Sequence, residues 1–253
     1  MTPGWFDLPA PVLDGVDQVL AMALPEWLRV AIYGLVVSYL GMVIYSRVSN
    51  QGRLRAVQRL TRRVRRRLHD PEIAFDALLA ASRRSLVLSL RHLGLVLLPS
   101  LFTLLPLLFV LPWASNRFGA ALPAVGTPVT WCARPIERAA AVRVGDAPMD
   151  ETGCVTAPWP AAQQPIRLDD HVIATAPWRG PSEVLHARHW WNRFIGHPAG
   201  GLPERVGGLE IHVAFPPHLV LTVGPAWFGH WLFWFLVPGL FAGFYWRWRW
   251  KLV

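Results

Sequence analysis

Apolar residues are concentrated in three blocks along the 253-residue chain, and polar segments separate the blocks. The blocks are Trp27–Ser46, Leu86–Trp113 and Ala226–Trp246. Each has at least the roughly 20 mostly apolar residues that a membrane-spanning helix needs. The pattern therefore predicts span one over residues 27–46, span two over residues 86–113 and span three over residues 226–246.

The composition agrees with this pattern. Hydrophobic residues make up 53% of the chain and charged residues only 16%, whereas ordinary soluble domains carry about 25% charged residues. These values exclude an ordinary soluble enzyme, a disordered tail and a small disulfide-rich secreted protein. The predicted fold is an α-helical integral membrane protein with three spans, a cytoplasmic basic helical hairpin and a small, mainly β extracytoplasmic domain.

The charges are distributed unevenly around the predicted spans. Residues 1–28 hold four acidic residues and neither Lys nor Arg, whereas residues 47–91 hold twelve Arg and three acidic residues. Loops rich in Lys and Arg stay on the cytoplasmic side of a membrane. We therefore expect residues 47–85 and 247–253 in the cytoplasm, and residues 1–26 and 114–225 outside, for a protein of a bacterial inner membrane.

The segment 1–26 carries apolar residues at helical spacing, which predicts an amphipathic helix. They are Val12, Leu13, Val16, Val19, Leu20 and Ala23. Two placements fit this spacing. The helix lies on the outer membrane surface, or it docks on the outer domain.

Four polar residues within the predicted spans are candidates for a groove. Arg91 and His92 lie about two turns inside span two, and Ser38 and Tyr39 lie near the middle of span one. Ionisable residues inside a membrane are costly, so they mark candidate functional sites. Either Arg91 extends to the lipid headgroups, or these residues line a polar groove.

Span two also contains three prolines, Pro99, Pro106 and Pro112. They indicate either a tilted, bent helix or a bend that opens the groove.

The loop 47–85 begins with a strongly basic helix that has one apolar stripe. Its arginines are Arg53, Arg55, Arg59, Arg62, Arg63, Arg65, Arg66 and Arg67. The second helix of this basic hairpin is expected to start at Asp70-Pro71, because Asp caps helices and Pro fits a first turn. The expected partner is the bilayer, through its anionic headgroups. RNA or a ribosome is the alternative, although no aromatic residue interleaves these arginines for base stacking.

The outer segment 114–225 alternates short β-type runs with Pro and Gly, which predicts a small antiparallel sandwich. The expected strands are Pro128–Cys132, Ala140–Val144, Ile166–Thr175, Glu210–Phe215 and Leu219–Val223, and Val184–Ile195 is expected to be a helix. The chain has two cysteines, Cys132 and Cys154. An even count in an extracytoplasmic segment favours a disulfide over two free thiols.

The histidines and aromatic residues near the C-terminus suggest a surface that docks other proteins, and not a metal site or a catalytic site. Seven of nine histidines follow residue 170, but without metal-binding spacing, so no metal site or catalytic residue is assigned. Trp227, Trp231 and Trp234 have helical spacing and are expected to dock partner membrane proteins. His230 beside them could ligate a haem or chlorophyll-type macrocycle; no other cofactor is expected.

The organisation resembles the three-span branch of the YidC/Oxa-type membrane insertases. The resemblance lies in the order of elements and in two stretches, Arg47–Gln51 at the start of the hairpin and Arg91–Leu95 leading into Leu98-Pro99. Residues from His189-Trp190-Trp191 through Glu210–Pro217 to span three also resemble bacterial membrane proteins of this layout. The resemblance implies a membrane groove that receives a client helix, and needs neither cofactor nor nucleotide.

Two functions follow as hypotheses. The first is an insertase or assembly factor with client contacts at Arg91 and His92. The alternative is a non-catalytic accessory subunit of a larger membrane complex, respiratory or photosynthetic, that docks through span three and the outer domain. Co-purifying nascent chains would favour the first, and a stoichiometric redox or pigment complex the second.

Overall fold

The computed structural model describes residues 4–68, 74–178, 183–187, 194 and 201–252. The chain forms two compact units, each built from two stretches of sequence. The first unit combines Met1–Val30 with Phe109–Trp234, and the second combines Ala31–Leu108 with Phe235–Val253. Because the units differ in architecture, each is described by itself.

Helices dominate the N-terminal half of the chain and return at its C-terminus. They are α1 (Ala10–Ala21), α2 (Glu26–Val48), α3 (Gln51–Leu68), α4 (Phe75–Thr103), α5 (Leu105–Phe118), the short α6 (Ile136–Ala139), α7 (Ala226–Gly229) and α8 (Trp231–Arg249). Two helices are long and apolar enough to cross a membrane, α2 and the near-continuous α4–α5 stretch Phe75–Phe118. The expected third span, α8, is not one of these two helices within the described part of the chain.

In the second unit, α3 and α4 form the expected hairpin. The apolar stripe of α3 buries Val57 and Val64 against Leu88 of α4, and Ala81 and Leu95 pack beside them. This burial accounts for the hairpin, since the opposite face of α3 is basic and stays exposed. The expected start of the second helix at Asp70-Pro71 lies outside the described residues; the described helix begins at Phe75.

Helices α2 and α8 approach each other closely through glycines in the second unit. A Cβ on Gly34 would overlap the Phe235 carbonyl, and a Cβ on Gly239 would lie 3.0 Å from the Gly34 carbonyl oxygen. One turn further on, a Cβ on Gly243 would lie 3.1 Å from Ser38 Oγ. Small residues spaced four apart are typical of helices that pack within membranes, where dispersion contacts replace the hydrophobic effect.

Two four-stranded antiparallel sheets form most of the first unit, and they share one hydrophobic core. Their strands are β1 (Pro128–Arg134), β2 (Val142–Val144), β3 (Ala147–Pro148), β4 (Cys154–Pro158), β5 (Gln164–Leu168), β6 (His171–Ala176), β7 (Val184–Leu185) and β8 (Glu210–Val213). The strand orders are β4-β1-β8-β7 and β3-β2-β5-β6. At the centre, Trp131 stacks on Trp159, and Trp178 meets both rings edge-on. The small antiparallel domain is therefore confirmed.

Several predicted elements of this domain differ from the structure. Ile166–Thr175 was expected to be one strand but is the hairpin β5–β6, because Asp169 adopts a positive φ of 52° and turns the chain. Val184 and Leu185, expected to be helical, pair with β8 as a strand; residues 188–193 and 195 of that expected helix lie outside the described residues. Ala140 caps α6 instead of opening β2.

The expected strand Leu219–Val223 is also wrong. It forms only an isolated bridge from Leu219 to His230, and Val220 donates to the Gly229 carbonyl at 2.9 Å. A Cβ on Gly229 would overlap the Leu221 carbonyl. The segment therefore folds against the turn that precedes α8 and joins neither sheet.

The N-terminal helix α1 docks within the first unit through its polar face. Asp17 is fully buried and pairs with Arg29 at 2.5 Å and with Arg117 at 3.2 Å. Asp14 accepts a hydrogen bond from Trp113 Nε1 at 2.8 Å. The apolar face carries the exposed residues, Val12, Val16, Val19 and Met22. Helix α1 therefore packs against α2 and α5 through its polar face and leaves its apolar face exposed. The two expected placements, on the outer membrane surface and on the outer domain, stay predictions.

Candidate functional site

The second unit contains a cavity of about 590 Å³ among its helices, which we call the polar cavity. Four helices and the start of α5 wall it. The lining residues are Val37, Ser38, Gly41, Met42 and Tyr45 from α2, Gln58 from α3, His92, Val96, Ser100 and Thr103 from α4, Leu107 from α5, and Leu240 and Arg247 from α8. All three predicted spans therefore contribute to one cavity.

The lining combines apolar walls with separate polar groups. Hydroxyl, amide, imidazole and guanidinium groups face the cavity, and none of its lining residues is acidic. Among the described residues, the buried Nδ1 of His92 has no hydrogen-bond partner. A buried polar atom without a partner costs free energy, and this atom lies beneath the surface of the cavity wall.

The break between α4 and α5 helps to shape this cavity. Helix α4 ends at Thr103, Leu104 caps it, and Pro106 at the second position of α5 has no amide hydrogen to donate. Ser100, Thr103 and Leu107 line the cavity on both sides of this break. Across the cavity wall, Gly41 lets α2 approach closely, since a Cβ there would lie 3.3 Å from the Thr103 carbonyl oxygen.

The four candidate groove residues do not come together. His92 and Ser38 line the polar cavity, whereas Arg91 and Tyr39 do not. Arg91, one residue before His92, is exposed. The Tyr39 ring packs instead against Trp246 and Trp250 at centroid distances of 5.2 and 6.0 Å. His92, and not its neighbour Arg91, therefore belongs to the candidate site.

The basic face of α3 is solvent-exposed. The described side chains of Arg53, Arg55, Arg59, Arg62, Arg63, Arg65 and Arg66 are all exposed, and that of Arg67 lies outside the described residues. A second cavity, of about 470 Å³, is lined by Gly52, Arg55, Gln58, Arg59 and Arg62, and we call it the arginine pocket. Gln58 lines both this pocket and the polar cavity.

The three docking tryptophans have different surroundings. Trp231 is buried, Trp227 is 64% exposed, and Trp234 donates to the Phe228 carbonyl at 2.8 Å while packing on Trp27. Of the three, Trp227 is the most exposed, although its ring contacts Phe228 and Phe233 at centroid distances of 5.9 and 5.3 Å. Helix α8 begins at Trp231, so residues 226–230 do not continue the expected third span as one helix.

His230 occupies the break between α7 and α8. Its backbone is extended, and its Nδ1 accepts a hydrogen bond from the Leu232 amide at 3.2 Å. An acceptor at this position satisfies one of the free amides at a helix N-terminus. The side chain named as a macrocycle ligand therefore has a structural role as a helix cap.

Three further described histidines have separate polar neighbours. His212 contacts Glu210 at 3.2 Å, His218 contacts Glu26 at 3.0 Å, and His186 contacts the Ala187 carbonyl at 3.1 Å. Within the described residues, no group of three His, Cys, Asp or Glu could hold a metal ion. His189 and His197 lie outside the described residues.

Cys132 and Cys154 form a disulfide between β1 and β4, where they are directly paired across the two strands. Asp150 stabilises the turn that precedes β4. Its carboxylate accepts hydrogen bonds from the Thr152 hydroxyl and amide and from the Cys154 amide. These bonds, led by that from the Thr152 side chain, lower the pKa of Asp150. Their stabilising contribution is present above the ordinary carboxyl pKa and is lost as the pH falls through the lowered value.

The disulfide predicts the chemical behaviour of the two thiols. In the native protein, Cys132 and Cys154 should resist a maleimide reagent and react fully only after reduction, because a bonded sulfur is not a nucleophile. Mass spectrometry before and after reduction measures this. Prompt labelling of both residues without a reductant would show free thiols.

One feature of the second unit was not predicted from the sequence, the close α2–α8 crossing. Gly239 and Gly243 form a Gly-xxx-Gly motif inside an apolar segment, and Gly34 and Ser38 repeat the spacing on α2. This motif is a recognised sign of helix association in membranes. The sequence therefore contains a signal for this crossing in the same span as its aromatic residues.

Comparison with known proteins gives no relative from which to transfer a function: no family model matches the chain, and neither does any curated protein or solved structure.

Proposed function

We propose that this chain is an integral membrane protein that helps other membrane proteins to insert, and that the polar cavity receives part of the client segment. The observation that carries the proposal is the cavity itself. It joins all three predicted spans and combines apolar walls with the polar residues Ser38, Gln58 and His92. A segment crossing into lipid needs such a site for groups that bare lipid would leave unsatisfied.

The dimensions suggest how a client would bind. A volume of about 590 Å³ is that of a small-molecule pocket, too small to enclose a helix. A client segment would therefore lie against the cavity and place its polar side chains or unpaired backbone groups inside. His92, Ser38 and Gln58 can donate or accept hydrogen bonds there.

The proposal includes a membrane placement with the N-terminus and the sheet domain outside. Support comes from the charge asymmetry between residues 1–28 and 47–91. The exposed apolar surface adds to it, because only 6% of the apolar window in α4–α5 is buried, against 39% of that in α2. Leu90, Leu93 and Leu97 are more than half exposed, which is favourable in lipid and unfavourable in water.

Reconstitution with a defined client tests the proposed activity. Proteoliposomes containing the full chain receive a newly synthesised single-span client, and protease protection measures its insertion. Ser100→Leu fills the cavity with an apolar side chain and should lower insertion at least several-fold. Ser89→Leu, on the exposed surface of the same helix, should leave insertion unchanged.

Two results would contradict the proposal. Liposomes with and without the chain could insert the client equally, or the two leucine variants could behave alike. In each case the cavity would have no role in insertion. Equal reconstitution of both variants, checked by protein recovery, is the control for folding.

The accessory-subunit alternative has its own support. Helix α8 presents an exposed aromatic row of Phe241, Phe244, Tyr245 and Trp248, and large aromatic side chains are enriched where proteins dock. If this alternative holds, the chain purified in a mild detergent has a stoichiometric membrane partner, and the cavity variant Ser100→Leu retains that partner.

A further inference from the structure

The cytoplasmic end of the second unit, as oriented above, carries a cationic surface assembled from two distant parts of the sequence. Helix α3 supplies the arginine pocket, and the C-terminal segment supplies Arg247, Arg249 and Lys251. The two parts touch, because Arg55 donates to the Lys251 carbonyl at 3.5 Å. Gln58 and Arg247 also line the same polar cavity.

No carboxylate neutralises these cations in the described part of the chain. Among the described residues, Arg55, Arg59, Arg62, Arg247, Arg249 and Lys251 pair with no acidic side chain, whereas the pairs of Asp17, Glu26 and Glu210 lie in the first unit. Asp76 is the only described acidic residue of the second unit, and it lies in the first turn of α4. The surface therefore has an excess of positive charge that an anionic group would balance.

The geometry of the arginines suits a phosphate group. Arg55, Arg59 and Arg62 are spaced by four and three residues, which puts them on one face of α3. All three line the arginine pocket, with Gln58 and the side-chain-free Gly52 beside them. One guanidinium group can donate hydrogen bonds to two phosphate oxygens at once. Gly52, which has no side chain, leaves space for a ligand to approach the helix.

The neighbouring aromatic residues indicate a lipid as the source of that phosphate. Trp248 is 75% exposed and Phe244 is 67% exposed, beside Arg247 and Arg249 on the surface of the same segment. Exposed Trp next to basic residues is typical of the interface between lipid tails and headgroups. Nucleic acid fits less well, since α3 carries no aromatic residue on which bases could stack.

We infer that the arginine pocket, together with the C-terminal cations, binds the phosphate headgroup of an anionic phospholipid. The inference rests on the membrane placement proposed above but not on client insertion. A lipid bound here would lie at the rim of the polar cavity, because Gln58 and Arg247 belong to both sites.

The test counts lipids retained by the full chain. Native mass spectrometry follows the detergent-solubilised protein after incubation with equal amounts of phosphatidylglycerol and phosphatidylcholine. We expect selective retention of phosphatidylglycerol. The triple variant Arg55→Gln/Arg59→Gln/Arg62→Gln should lower its affinity roughly 100-fold, since each basic residue contributes about 1 kcal/mol, or about a fivefold factor.

A charge-matched control distinguishes binding in the arginine pocket from general attraction between arginines and anionic lipid. Arg53→Gln/Arg63→Gln/Arg83→Gln removes the same charge from exposed arginines that do not line the pocket, so it should retain phosphatidylglycerol nearly as the native chain does. Equal losses in the two triple variants would overturn the inference, as would equal retention of phosphatidylcholine.

Two further arms distinguish other ligands. Inorganic phosphate at millimolar concentration should not displace the lipid; if it does, the pocket is a free-phosphate site and the lipid inference is wrong. A short RNA added at equal charge should not displace it either, and displacement would identify nucleic acid as the ligand. Loss of lipid binding with normal client insertion would leave the proposed function intact.

Discussion

Replacing Asp17 with Ala should destabilise the protein by about 3–5 kcal/mol, the usual cost of breaking a buried ion pair from one side. The variant leaves Arg29 buried, with a side chain only 10% exposed and an Nε that has no hydrogen-bond partner among the described residues. Arg117 is half exposed and can turn toward water. Denaturant unfolding of the purified full chain in detergent measures the loss.

Two companion variants identify the origin of this loss. Gln18→Ala changes an exposed neighbour on α1 and should alter stability by less than about 0.5 kcal/mol. The double variant Asp17→Leu/Arg29→Met removes both charges and should recover much of the stability, because buried ion pairs can often be replaced by apolar side chains. A loss in Asp17→Ala no larger than that in Gln18→Ala would show that α1 is not held by this pair.

Gly34→Ala should cost about 3 kcal/mol, near the upper end of the range for overpacking. The added methyl group would overlap the Phe235 carbonyl, which is backbone and cannot move without separating α2 from α8. Unfolding in mixed detergent micelles, followed by circular dichroism, measures this effect.

Gly94→Ala provides the matched control for the crossing. Gly94 lies in α4, and a Cβ there would meet nothing within 4 Å. This substitution should be neutral, or stabilise the helix by about 0.5–1 kcal/mol, because Ala restricts the unfolded chain more than Gly does. Equal effects at Gly34 and Gly94 would contradict the close crossing of α2 and α8.

The sequence predicted the elements best where a hydrophobic period was long. The apolar block of span one became α2, and the apolar stripe of Val57 and Val64 became the buried side of the hairpin. The disulfide was predictable because the chain has only two cysteines. Short strands were less predictable, since two turn residues, Asp169 and Asp170, were enough to divide one expected strand into two.

The candidate site was harder to predict, because helix rotation decides which neighbouring side chain faces inward. Arg91 and His92 are adjacent in the sequence, yet only His92 lines the polar cavity. Likewise Ser38 lines it and Tyr39 does not. The apolar residues of span two are distributed around the whole helix, so periodicity could not fix its orientation. Ser100 and Thr103 were not predicted, because isolated hydroxyl groups are common in membrane helices.

We propose that a client segment contacts the polar cavity during insertion, and site-specific photocrosslinking measures this contact directly. A photoreactive amino acid replaces Ser100 in the cavity or Leu97 on the exposed surface of the same helix, and a radiolabelled client is synthesised in the presence of each variant in proteoliposomes. We expect a crosslink from residue 100 that appears while the client inserts and disappears afterwards, with little from residue 97. Equal crosslinks from both residues, or none from residue 100 while insertion proceeds, would contradict it.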